Sequence, residues 1–220
     1  MKLQGVIFDF DGVLADSEPL HLRALQAALA ARGITLGARE YYSTLLGYDD
    51  EASLEVLARS RNISLDAAKR KGILSDKAAK FAALQAEGDP IFPGAVELVR
   101  RLGAAVPLAI ASGARREEIE RTLTHAGLSS AFLVVVAAGS TPQGKPAPDP
   151  YIRAAELLGV DPSCSAAIED SRWGLESAKG AGLKAVGVTH SYPAHELQPH
   201  ADLVVTTLDE ITLALLEELL

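Results

Sequence analysis

Two aspartates, Asp9 and Asp11, stand one residue apart at the end of the apolar run Val6–Phe8, within "GVIFDFDGVLADS". Carboxylates this close raise one another's pKa unless a cation holds them. In isolation an Asp-x-Asp after a strand is usually a solvated turn or a helix cap, so the pair gains meaning from what else the chain supplies. Ser112 closes the run "PLAIAS" and Gly113 follows it, Lys145 lies between Gly144 and Pro146 in "GKPAPDPY", and Glu169 and Asp170 close "SAAIED". An oxygen-only site with no His or Cys suits a hard divalent cation, Mg²⁺ above all, built from Asp9, Asp170 and a backbone carbonyl near Asp11. A lysine and a hydroxyl beside such a cation are the equipment for a phosphoryl group, whose charge spreads over three oxygens. Asp9 is then suited to attack phosphorus and form an aspartyl-phosphate. Asp11 is suited to protonate the leaving alcohol and later deprotonate water, and Gly12 lets the backbone turn sharply just past the pair.

These residues need a scaffold that brings distant segments to one edge. Residues 3–9, 107–112, 132–137, 165–170, 184–189 and 202–206 are short Val/Ile/Ala-rich runs that read as strands. Helical spacing marks 115–126, 148–158, 172–181 and 209–219 between them, and Pro93-Gly94 opens another helix. Near-continuous apolar strands alternating with helices predict an α/β fold with a parallel sheet covered on both faces. In such sheets ligands bind beyond the carboxyl ends of the strands, which is where the acids, the hydroxyl and the lysine fall. The stretch from about Glu18 to Glu87 is different: strand-poor, Ala/Leu-rich, with Leu22, Leu25 and Leu29 on one helical face. The simplest organisation is a core of 1–16 and 88–220, with an all-helical domain of 17–87 inserted after the first strand.

"DFDGVLADS", "ASG", "GKPAPDPY" and "IEDSRWGLESAKGAG" resemble, in order and spacing, the four motifs of the haloacid dehalogenase superfamily, most of all its β-phosphoglucomutase-like sugar-phosphate phosphatases. The similarity runs along essentially the whole chain. It implies a Rossmann-like core with a helical cap, Asp9 as nucleophile and Asp11 as general acid/base. It implies that Ser112, Gly113 and Lys145 hold the transferring phosphoryl group, and that Asp170, with Glu169, completes a Mg²⁺ site. Glu169 fits either a direct ligand or an outer group bonded to metal-bound water. The superfamily's dehalogenase branch works without metal and lacks an acid matching Asp11, so the resemblance lies on the phosphotransferase side.

Within this family the cap chooses the substrate. His21, where the chain enters the cap, reads as a contact to substrate or to Asp11, or equally as a surface histidine. In the loop 47–57 sugar-phosphate mutases of the group carry an arginine for a second phosphate; here stand Asp49, Asp50 and Glu51, with no basic residue before Arg59. Lys77 or Lys80 would have to replace that charge. The expected activity is Mg²⁺-dependent hydrolysis of a small sugar- or polyol-phosphate-like monoester. The alternatives are a sugar phosphomutase and a non-catalytic binding protein on the same fold.

Composition agrees with an enzyme or a small-ligand binder. Of 220 residues, 48% are hydrophobic and 23% charged, and the net charge is −8. That balance is globular and argues against nucleic acid or an anionic membrane as partner. One cysteine, Cys164, forbids an internal disulfide, the initial apolar run is too short for a signal peptide, and nothing demands more than a monomer. A cytoplasmic protein acting on a small phosphorylated metabolite is the expectation.

Overall fold

The computed structural model describes residues 2–46, 48–86 and 91–220. Clustering in space divides the chain into two compact units, Met1–Asp16 with Pro90–Leu220, and Ser17–Asp89.

The first unit is built on six strands: β1 Gly5–Phe8, β2 Leu108–Ala111, β3 Val134–Val136, β4 Ser165–Glu169, β5 Lys184–Val188 and β6 Leu203–Val205. Every residue of β1, β2 and β4 is buried. Strands that are apolar on both faces have no side to offer water, so they form the middle of a covered parallel sheet. All neighbouring pairs are parallel, in the order β3-β2-β1-β4-β5-β6. Side chains alternate between the faces. Val6, Phe8, Ala166 and Ile168 pack into one core, with α4 (Ala95–Gly103), α5 (Arg116–His125) and α9 (Leu213–Glu218). Ile7 and Ala167 pack into the other, with α6 (Asp149–Leu158), α7 (Arg172–Gly180) and α8 (Ala194–Leu197). The outline of the sheet read from the sequence survives, with strands one to three residues shorter. One helix divides: in place of 209–219 there is a tight turn, Leu208–Glu210, then extended Ile211, then α9. Thr212 forces the break by capping α9, its Oγ1 accepting from Leu215 N–H at 3.1 Å.

The second unit holds α1 (Glu18–Ala30), α2 (Asp50–Ser60) and α3 (Ala67–Gln85) around Leu22, Leu25, Leu29, Leu54, Leu57 and Ile73. A short turn, Ala38–Glu40, runs into a wide helical turn at Tyr41–Leu45. Asp49 and Asp66 cap α2 and α3, accepting from Ala52 and Lys69 N–H at 2.7 and 2.8 Å. Among the described residues no helix is long and apolar enough to cross a membrane.

Candidate active site

The strand order reverses direction between β1 and β4, which is where an open parallel sheet leaves a crevice at its carboxyl edge. Asp9 continues β1 there, its N–H donating to Ile168 O at 2.9 Å. Asp9 and Glu169 extend the alternation of Ile7 and Ala167, which faces Tyr151 on α6. Lys145 reaches the same point: its Nζ lies 2.8 Å from Asp9 Oδ1 and 2.6 Å from Glu169 Oε1. It also stands 5.0 Å above the Tyr151 ring. The lysine is well tethered. Its loop turns through Ala147 N–H donating to Gly144 O at 3.0 Å, and buried Ser177 of α7 donates to Ala147 O at 2.6 Å.

Glu169 is fully buried, and its carboxylate accepts from five donors. Lys145 and the Tyr151 hydroxyl (2.9 Å) share Oε1. The N–H groups of Asp170 and Ser171 and the Ser171 hydroxyl, at 3.1–3.3 Å, share Oε2. A carboxylate offers about four lone-pair positions, so the capacity of Glu169 is committed within the protein. Ser171 also starts α7, its Oγ accepting from Gly174 N–H at 3.1 Å. Gly174 packs directly on the Glu169 carboxylate, where a Cβ would overlap it.

Asp9, Glu169 and Asp170 are all buried, each with a carboxylate oxygen within 4.8 Å of the others. Burial pushes Asp9 up to about 7; Lys145 pulls it down, while Glu169 and then Asp11 add to the rise. Burial draws Lys145 down, but Asp9 and Glu169 outweigh it and the net shift is upward, so the lysine stays charged. Tyr151 is raised well above its ordinary value by burial and by Glu169 and Asp9, so it remains a neutral donor. One lysine among these acids leaves the cluster negative. With oxygen donors only, that deficit fits a hard divalent cation such as Mg²⁺.

The remaining expected residues fall in three places. Asp11 lies close enough to raise the Asp9 pKa. Ser112 and Gly113 follow β2, the neighbour of β1 on the other side, with Ser112 buried and Gly113 exposed. Ser112 is not a helix cap: α5 starts at Arg116, and the Ser112 hydroxyl accepts from Ala114 N–H at 3.1 Å. His21, Asp50 and Lys77 form one cluster inside the helical unit. Buried Lys77 Nζ lies 2.8 Å from His21 Nδ1 and is paired with Asp50. The acidic loop therefore carries less free charge than its sequence suggests, since Asp49 caps α2 and Asp50 has a lysine. Sequence reasoning alone passes over Tyr151, Ser191 and His190. Ser191 donates to Asp170 Oδ2, and His190 Nδ1 lies 2.8 Å from Gly12 O. The strand-end rule, applied to β5, points to the last two.

The sequence model of the haloacid dehalogenase-like hydrolases matches residues 3–182. Hexitol phosphatase B of Escherichia coli is 31% identical over 219 residues, covering 96% of this chain and 95% of that protein. Protein CbbY of Rhodobacter capsulatus is 34% identical over 202 residues, 87% of this chain and 88% of the relative. Among solved structures, a CbbY mutant from Rhodobacter sphaeroides in complex with xylulose-(1,5)bisphosphate superposes with a TM-score of 0.89. It is 30% identical, covering 98% of this chain and 99% of its own. The β-phosphoglucomutase of Clostridium difficile, 24% identical with a TM-score of 0.88 over 99% and 96% of the two chains, shares the fold. The chain belongs to the haloacid dehalogenase-like hydrolases.

Proposed function

We propose that this protein is a Mg²⁺-dependent phosphatase that hydrolyses a small sugar- or polyol-phosphate monoester through an aspartyl-phosphate on Asp9. The observation that carries the proposal is the constellation of buried Asp9, Glu169 and Asp170 with half-buried Lys145 at the β1/β4 crevice. Asp9, Asp170 and the main chain near Asp11 would hold the cation; Glu169, its acceptors already taken, serves as the anchor of Lys145. The cation supplies charge neutralisation for the phosphoryl oxygens.

In the first step an Asp9 carboxylate oxygen bonds to phosphorus as the ester P–O bond breaks. Asp11, protonated, gives its proton to the departing alkoxide. In the second step Asp11, now a carboxylate, takes a proton from water. The water oxygen bonds to phosphorus, and the Asp9–phosphorus bond breaks to release phosphate. Lys145 offsets charge on the phosphoryl group while keeping Asp9 aimed, and Ser112 with the Gly113 N–H binds the remaining oxygens. The Lys77–Asp50 pair favours a phosphatase over a mutase, because the cap lysine is already neutralised locally. The test is a Mg²⁺-supplemented panel of hexitol phosphates, sugar monophosphates and xylulose 1,5-bisphosphate, scored for released phosphate and for isomerised sugar phosphate. Phosphate release that is lost in Asp9→Asn is expected; isomerisation dependent on a bisphosphate primer would replace the phosphatase reading with the mutase one.

A further inference from the structure

The loop after β5, Thr189–Ser191, touches the crevice from the side opposite Lys145. Ser191 is half-buried, and its hydroxyl donates to Asp170 Oδ2. Beside this contact lies Gly12, φ +76°, whose Cα is so close that a Cβ would overlap Asp170 Oδ2 and come within 2.9 Å of Ser191 Oγ. The Gly12 carbonyl is in turn held by His190, 2.8 Å from Nδ1. A carbonyl only accepts, so Nδ1 carries the proton, as it does in one neutral tautomer and in the cation alike. The His190 ring stacks on Phe92 with centroids 3.9 Å apart and planes 19° apart, and Phe92 N–H donates to Leu14 O at 3.0 Å. The turn from Phe10 to Ala15 is closed internally by Gly12 N–H donating to Ala15 O at 2.8 Å. One short loop thus grips both the carboxylate after β4 and the turn that carries Asp11.

We propose that Ser191 and His190 are positioning residues for the cation site: Ser191 fixes the rotation of the Asp170 carboxylate, and His190 fixes the Asp11–Gly12 main chain. The physical need is specific. Asp170 sits among like charges that would turn it away, and a hydroxyl on one oxygen removes that freedom. Groups that orient metal ligands typically change metal affinity or activity 10–100-fold when lost. The inference rests on the proposed Mg²⁺ site, so its test measures binding directly. Free Mn²⁺ is counted by electron paramagnetic resonance in titrations of wild type, Ser191→Ala and Ser191→Thr, with Mg²⁺ as competitor, alongside the metal-free urea midpoint of each.

The expected result is a Kd for Mn²⁺ raised about tenfold or more in Ser191→Ala, restored to within about threefold by Ser191→Thr, with the metal-free midpoints little changed. His190→Asn, which keeps a donor near the Nδ1 position, should bind Mn²⁺ more tightly than His190→Ala. Wild-type-like affinity in Ser191→Ala would overturn the inference while leaving the metal reading intact. So would a lower metal-free midpoint with unchanged affinity, the mark of a merely structural hydroxyl. Absence of any Mn²⁺ or Mg²⁺ binding by the wild type would overturn both.

Discussion

Replacing Tyr151 by Phe removes one oxygen and leaves the ring in place, which isolates the hydroxyl's hydrogen bond to Glu169. That bond spans 2.9 Å to Oε1 and both residues are fully buried. Hydrogen bonds to charged groups contribute about 1.5–3 kcal/mol. Oε1 keeps Lys145 at 2.6 Å after the substitution, so it is not orphaned and the lower half of that range applies, about 1.5–2 kcal/mol. For a protein of this size each kcal/mol moves Tm by about 2–4 °C, which gives a drop of roughly 3–8 °C in metal-free Tyr151→Phe. Activity should fall as well, because Glu169 Oε1 is left to Lys145 alone and competes better with Asp9 for the ammonium. Thermal and urea unfolding of wild type and variant, with turnover on the best panel substrate, provide the measurement. A variant as stable as wild type would refute the view that Tyr151 serves the acid cluster and would make it simple core filling.

The same geometry sets three further outcomes. Glu169→Gln offers one oxygen and an amino group to five donors, so it should destabilise by about 3–5 kcal/mol, more than Tyr151→Phe, in urea titrations. Metal affinity should depend on pH, because the cation binds ionised Asp9 while burial, against Lys145, pushes its metal-free pKa to about 7. The ionised fraction is about 0.1 at pH 6 and about 0.9 at pH 8, so Mg²⁺ should bind roughly tenfold more weakly at pH 6; calorimetry showing equal affinity would contradict this. Gly12→Ala should cost roughly 1–2 kcal/mol for its left-handed backbone, and its new methyl, driven against Asp170, should weaken Mn²⁺ binding at least tenfold.

The sheet was legible because its strands are locally unambiguous: runs such as "GVIF" and "LAIA" are buried on both faces and admit one kind of partner. Asp9 and Asp170 were legible for a related reason, since strand-end residues of a parallel sheet share an edge wherever they lie in sequence; Lys145, in the loop well past β3, was legible from its motif "GKPAPDPY". Tyr151 was not. It sits in an amphipathic helix where an aromatic reads as core, and only the face alternation of β4 brings Glu169 beneath its hydroxyl. The capacity of Glu169 was equally hidden, because its oxygens are filled by Lys145 and Tyr151 from two other segments and by the next two residues of its own, Asp170 and Ser171. In the helical unit the sequence displayed Asp49, Asp50 and Glu51 as one acidic patch. The fold gives Asp49 to a helix cap and Asp50 to Lys77, which is 27 residues away.

The central claim is that phosphorus becomes bonded to Asp9. The most direct measurement is a rapid acid quench during turnover of a ³²P-labelled substrate found in the panel, followed by peptide mapping. The account predicts a hydroxylamine-labile label on the peptide containing Asp9, formed as fast as turnover in the presence of Mg²⁺ and absent in Asp9→Asn. Turnover with no labelled protein at any quench time, or persisting in Asp9→Asn, would contradict it.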